Sequence, residues 1–223
     1  MTQSPENSPQ KPDEEAIKYV LISAREHDVK FIRLWFTDIL GTLKGFAITI
    51  DELEGVMQNG ASFDGASIEG LTRADESDMV AMPDPSTFQV LPWRPSTDAV
   101  ARMFCDIETP LRAPSVADGR QVLRRNLVRA ADMGFTFYVS PEIEYYYDTG
   151  EPDERARIDR SSYFDQTSVD GVGADLRRDT VLTLEKMGIP VKHSHHEVGF
   201  DQHEIDLRHT NALTMADSII TFK

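Results

Sequence analysis

The chain has 223 residues, 38 acidic against 23 basic, with a net charge of −15 and 40% hydrophobic content. That length holds one large domain or two small ones at about 100–200 residues each, and the hydrophobic content excludes wholesale disorder. No apolar run nears the ~20 residues of a membrane span, the single cysteine, Cys105, excludes an internal disulfide framework and fits a reducing cytoplasm, and the acidic balance argues against a general nucleic-acid binder.

Residues 1–13 are a Ser, Pro, Asn, Gln and Lys tail, expected to be disordered and without the apolar core of a signal peptide. Ile17, Val20, Leu21 and Ala24 then repeat at helical spacing over Glu14–His27. Lys30–Asp38 alternates and is rich in aromatic and branched residues, so it reads as a strand that turns at Gly41 and returns through Leu43–Ile50. Asp51 is placed to cap a short helix that stops at Asn59-Gly60. Ala61–Asp84, with its Gly, Ser and Asp, reads mostly as loop. Phe88–Leu91 and Ala99–Ile107 complete a small mixed sheet.

The Pro-marked stretch Thr109–Ala117 suggests a boundary, dividing the chain into 14–112 and 113–223. Beyond it come an amphipathic helix, Arg120–Met133, and a long strand, Phe135–Tyr147, broken at Ser140-Pro141. A polar segment precedes a further helix, Asp175–Met187, stopped by Gly188. Val191–His209 reads as one strand or a hairpin, and Thr210 or Asn211 caps a helix still running at Lys223. That open helix suggests a chain that continues.

Glu142 and Glu144 stand two apart on a predicted strand, so they share a face roughly 7 Å apart. Glu197 and Glu204 belong to the second β-like stretch. Four carboxylates facing one way repel unless cations lie between them, and hard oxygen donors suit Mg²⁺ or Mn²⁺. A Glu-x-Glu pair is also ordinary on the wet face of an antiparallel sheet. The nearby His193, His195, His196 and His203 invite a zinc reading, which the lack of a Cys partner and of a His-Glu-x-x-His helix disfavours. In Phe63-Asp64-Gly65-Ala66-Ser67-Ile68, Asp64 and Ser67 flank a glycine in a loop. Catalytic groups favour such loops, and so do plain Asx turns. No P-loop or dinucleotide glycine fingerprint is present.

Read together, these segments resemble glutamine synthetase of the bacterial and archaeal type. The carriers are Trp35-Phe36-Thr37-Asp38 with Gly41, Phe63-Asp64-Gly65-Ala66-Ser67-Ile68-Glu69-Gly70, Glu76-Ser77-Asp78-Met79 and Pro83-Asp84-Pro85-Ser86-Thr87. They continue through Pro141-Glu142-Ile143-Glu144-Tyr145, His195-His196-Glu197-Val198 and Gln202-His203-Glu204-Ile205. The resemblance implies an α+β chain, with a β-grasp domain followed by the first part of an α/β catalytic domain. It also implies a cytoplasmic double-ringed homo-oligomer with active sites shared between neighbouring subunits. Glutamate, ATP and ammonia would be the substrates, joined through γ-glutamyl phosphate.

By the same resemblance Glu144, Glu197 and Glu204 are ligands of one divalent metal, and Glu142 is a ligand of a second. Asp64 deprotonates ammonium, with Ser67 beside it from the neighbouring subunit. Arg73 is similar to an arginine that senses glutamine in a feedback-inhibited subgroup. Lys192 stands where the family usually has a nucleotide-contacting Glu, and Asp201 replaces the usual Gly before Gln202. The family's later metal ligands and phosphate-binding arginines have no counterpart here, so the 223-residue chain is expected to be an inactive portion. A non-catalytic assembly partner, a γ-glutamyl-amine synthetase and a metal-dependent hydrolase are the alternatives.

Overall fold

In a computed structural model of the chain, Ile17, Val20 and Ala24 form the buried face of α1 (Glu14–Glu26), as their spacing predicts. The structure describes residues 14–68, 78–147, 161–166 and 172–223. They divide into two units, one ending at Gly134 and the other running from Phe135 to Lys223.

In the first unit β1 (Val29–Thr37) pairs antiparallel with β2 (Leu43–Thr49). The Asp38 carboxylate makes the turn between them by accepting from the Leu40 and Thr42 amides at 3.0 and 2.9 Å. Gly41 takes the φ of +75° that completes the turn. The expected Asp51 cap is not made. The chain leaves β2 through a 3₁₀ turn, Ile50–Glu52, which places Asp51 inside the helical run before α2 (Leu53–Asn59), and neither start carries a side-chain cap.

The stretch expected to be loop contains two strands, β3 (Ala61–Asp64) and β4 (Asp78–Pro83). Pairing with neighbours outweighs their loop-like composition. β4 hydrogen-bonds both β3 and β6 (Ala99–Glu108), and its Met79, Val80 and Ala81 are buried. With β5 (Gln89–Val90) set on β6, the sheet runs β2-β1-β6-β4-β3, and β1 and β6 lie parallel. Ile32, Leu34, Phe36, Leu53, Met57, Met103 and Ile107 share one core with the α1 face.

α3 (Gly119–Asp132) is capped by Asp118, which accepts from the Arg120 amide at 3.0 Å and the Ile107 amide at 2.9 Å. Burial pushes the Asp118 carboxyl up to about 6. None of the residues of α3 is buried. Charge ties it to the sheet instead: Arg120 reaches Asp106 at 2.6 Å and Asp84 at 2.7 Å, and Arg124 reaches the same two carboxylates at 3.0 and 2.7 Å.

In the second unit the break expected at Ser140-Pro141 separates β7 (Tyr138–Val139) from β8 (Glu142–Tyr146). α4 (Val172–Lys186) stops at Gly188, where φ is +71°. β9 (Val191–His196) and β10 (Gln202–Leu207) form the predicted hairpin, and with β8 they make a three-stranded antiparallel sheet, β8-β10-β9. β11 (Thr210–Asn211) pairs with β7, and Asn211 caps α5 (Ala212–Phe222) by accepting from the Thr214 amide at 3.0 Å. Ile205, Leu207, Leu184, Met187, Ile189 and Met215 are buried in this unit. Among the described residues no helix is long and apolar enough to cross a membrane.

Candidate metal centre

Register decides which side chains meet. Glu204 on β10 lies opposite Glu144 of β8 on one side and His195 of β9 on the other. Two residues on, Asp206 lies opposite Glu142 and His193. Positions two apart on a strand share a face, so Glu144–Glu204–His195 and Glu142–Asp206–His193 form adjacent rows on one face.

Glu197 follows β9, and its amide donates to the Gln202 carbonyl at 2.8 Å, closing the hairpin. Its carboxylate lies 3.7 Å from His195 Nδ1, while His195 Nε2 lies 3.6 Å from Glu204 Oε2. The Gln202 side chain accepts from the Gly199 amide at 2.8 Å and donates to Glu144 Oε2 at 2.7 Å, which orients that carboxylate. A Cβ at Gly199 would meet Gln202 Oε1 at 2.8 Å and Tyr146 Oη at 3.0 Å, so the glycine is what lets this amide in. Asp201, in the place of the usual Gly, takes φ +58°, a left-handed conformation that Asp tolerates better than most L-residues.

The opposite face is aromatic. Tyr145, His203 and His196 lie in one row across the three strands. Arg177 of α4 donates to His203 Nδ1 at 2.5 Å, which ties α4 to this face. The sheet therefore has a packed side and a carboxylate side.

The carboxylate side is crowded. Burial, followed by the nearby Asp206 and Glu197 carboxylates, pushes Glu204 up to about 7. Donor atoms of Glu142, Glu204 and Asp206 lie within 4.8 Å of one another, as do those of His195, Glu197 and Glu204. Oxygen acceptors at such spacing need a proton or a cation between them, and the donor set suits Mg²⁺ or Mn²⁺. Asp206 Oδ1, in a residue only 4% exposed, has no hydrogen-bond partner among the described residues. These observations fit a divalent cation on this face.

A raised carboxyl pKa gives the sign of a pH effect. The folded state holds the Glu204 proton more tightly than the unfolded chain. Its contribution to stability is therefore complete below the ordinary carboxyl value and is lost as pH rises through about 7. Melting temperature should fall between pH 5 and 8 by less in Glu204→Gln than in the parent, and added Mg²⁺ should restore the parent at pH 8. An identical pH slope in both proteins would remove Glu204 from this role.

All four sequence-derived carboxylates thus lie in one unit, with Glu142, Glu144 and Glu204 on strands and Glu197 at the hairpin end. Asp64 and Ser67 belong to the first unit. Asp64 ends β3 and accepts from the Ala66 amide at 2.8 Å, an Asx turn, with Ser67 exposed beyond it. Lys192 is exposed at an irregularity of the β9–β10 ladder, where one extra residue sits opposite the step from Asp206 to Leu207. Arg73 lies outside the described residues. Sequence reasoning missed Asp206, although its spacing two beyond Glu204 was the same signal that paired Glu142 with Glu144.

Comparison with known proteins gives a consistent picture. A family model for the glutamine synthetase β-grasp domain matches residues 28–110, and one for the glutamine synthetase catalytic domain matches residues 116–223. A glutamine synthetase of Mycolicibacterium smegmatis is 52% identical over 213 residues, covering 92% of this chain and 47% of its own length. One from Methanosarcina mazei is 45% identical, covering 92% and 46%. The electron cryomicroscopy structure of Plasmodium falciparum glutamine synthetase superposes with a TM-score of 0.78 at 22% identity, over 93% of this chain and 46% of that one, a likeness of fold. The chain spans about half the length of the curated relatives it matches.

Proposed function

The chain belongs to the glutamine synthetase family, and we propose that it supplies the N-terminal portion of an ATP-dependent ligase joining glutamate to ammonia through γ-glutamyl phosphate. The observation that carries this reading is the carboxylate face, where register alone brings Glu142, Glu144, Glu204 and Asp206 together beside Glu197. Glu144, Glu197 and Glu204 hold one Mg²⁺ or Mn²⁺, and Glu142 contributes to a second. Such ions offset the charge between the ATP phosphates and the glutamate carboxylate. Gln202 keeps Glu144 turned toward the face through its 2.7 Å bond.

Asp64 takes the proton from ammonium, its loop held by the Asx turn, and Ser67 stands beside it. Both act on the site of a neighbouring subunit in a homo-oligomer. We keep the domain boundary near 112, between the two matched segments. A buried free thiol at Cys105 supports a reducing, cytoplasmic setting.

Calorimetric titration with Mn²⁺ tests the metal assignment. Glu144→Gln combined with Glu204→Gln should weaken binding more than tenfold. Asp175→Asn with Asp179→Asn, which removes two charges from exposed positions on α4, should leave it unchanged. Equal weakening in both pairs would mean diffuse attraction to an acidic protein, not a site.

A further inference from the structure

We propose that His193, His195 and Asp206 form a separate imidazole–carboxylate site for a borderline transition metal such as Zn²⁺ or Co²⁺. Asp206 and His195 share the carboxylate face described above but are not assigned there as Mg²⁺ or Mn²⁺ ligands, His193 lies outside that assignment, and the inference does not depend on the ligase reading. Sequence alone disfavoured zinc because the segment has no Cys partner and no His-Glu-x-x-His helix. Strand pairing supplies a third donor by setting Asp206 opposite His193, and donor atoms of all three residues lie within 4.8 Å of one another. Ligands of a tetrahedral ion at about 2.0–2.1 Å lie roughly 3.3–3.4 Å apart, so seating the ion requires His193 and Asp206 to part from their direct contact while His195 moves in.

Each member is already turned for the task. The two imidazoles are near-parallel, 22° between planes, with centroids 5.9 Å apart. His195 Nδ1 lies 3.2 Å from the His196 carbonyl, which can only accept. In the neutral ring the proton is therefore on Nδ1 and the lone pair on Nε2, the orientation a metal-bound histidine needs. His193 Nε2 contacts Asp206 Oδ2, and its half-exposed side chain gives an ion access from solvent.

Asp206 supplies a second observation. An imidazolium at His193 would satisfy Oδ2 and still leave Oδ1 buried without a partner among the described residues. A cation seated between His193 and His195 answers the whole carboxylate. Imidazole nitrogens favour Zn²⁺, Co²⁺ or Ni²⁺ over Mg²⁺. With two neutral rings and one carboxylate, a divalent ion leaves a net positive site, which the neighbouring Glu142 and Glu204 stabilise. The fourth position stays open to water.

The test uses the untagged 223-residue chain, with Zn²⁺ calorimetry, Co²⁺ absorption and histidine-ring NMR. The parent should bind Zn²⁺ with shifts in the His193 and His195 ring resonances, and Co²⁺ should give a tetrahedral visible band. His193→Gln and Asp206→Asn should each weaken Zn²⁺ at least tenfold, and His193→Gln should leave Mn²⁺ affinity as it was. Glu144→Gln should weaken Mn²⁺ and spare Zn²⁺. Zn²⁺ binding that is indifferent to His193→Gln, or that follows Glu144 instead, overturns the site while leaving the Mn²⁺ assignment standing. Loss of the Glu144 effect on Mn²⁺ alone would overturn the earlier reading and not this one.

Discussion

Arg120→Ala is expected to cost about 3–5 kcal/mol of unfolding free energy, the largest stability loss of any single change on α3. Arg120 is 8% exposed in its side chain and bridges Asp106 at 2.6 Å and Asp84 at 2.7 Å. Burial opposes ionisation of Asp84, yet Arg120, the Ser86 hydroxyl and Arg124 hold its carboxyl below the ordinary value. Truncating Arg120 leaves two partly buried carboxylates facing each other with Arg124 as the remaining cation. The cost is that of uncompensated charge, which exceeds the net worth of the intact pairs. None of the residues of α3 is buried, so the helix leans on its charge network more than on a buried apolar face.

Urea unfolding of the chain measures the effect. Arg125→Ala, exposed on the same helix, should stay within about 0.5 kcal/mol of the parent. Adding Asp84→Asn and Asp106→Asn to Arg120→Ala should recover part of the loss, since the stranded charges are then gone. A loss below about 1 kcal/mol would put the network in the class of screened surface pairs.

The parts of the fold legible in the sequence were those where one local pattern dominates. α1 has its apolar stripe, β1 its alternation, and Gly41 and Gly188 their positive φ. β3 and β4 were missed because their strand character comes from pairing with each other and with β6, and no local pattern in a Gly- and Asp-rich stretch announces a partner far along the chain. Asp51 failed as a cap because a 3₁₀ turn precedes α2, a choice governed by how the chain leaves β2. At the metal centre, spacing along β8 placed Glu142 and Glu144 on one face. Only the β8-β10-β9 register could show that Asp206 and His193 share it, since cross-strand neighbours are not encoded in spacing along either strand.

The 223-residue chain should make no γ-glutamyl hydroxamate from glutamate, ATP and hydroxylamine. Phosphoryl transfer relies on positioning and on neutralising charge around the transferred group, and one missing arginine costs about 10³–10⁵ in rate. The carboxylate face supplies anions, imidazoles and one amide. Among the described residues, Arg177 bonds His203 on the opposite face and Arg208 bonds the Val191 carbonyl. The chain covers 47% of its Mycolicibacterium smegmatis relative, so the remaining half of that protein is the partner for a complementation test. Joined in frame to it, the chain should gain hydroxamate synthesis, and Glu144→Gln should remove that gain. In the joined protein Asp64→Ala should cripple ammonia-dependent synthesis, and mixed subunits of Asp64→Ala and Glu144→Gln should recover part of it if Asp64 serves a neighbour's site. Robust synthesis by the 223-residue chain alone would show that the carboxylate face transfers phosphoryl groups without arginine help, and the absence of rescue on mixing would assign Asp64 to its own subunit's site.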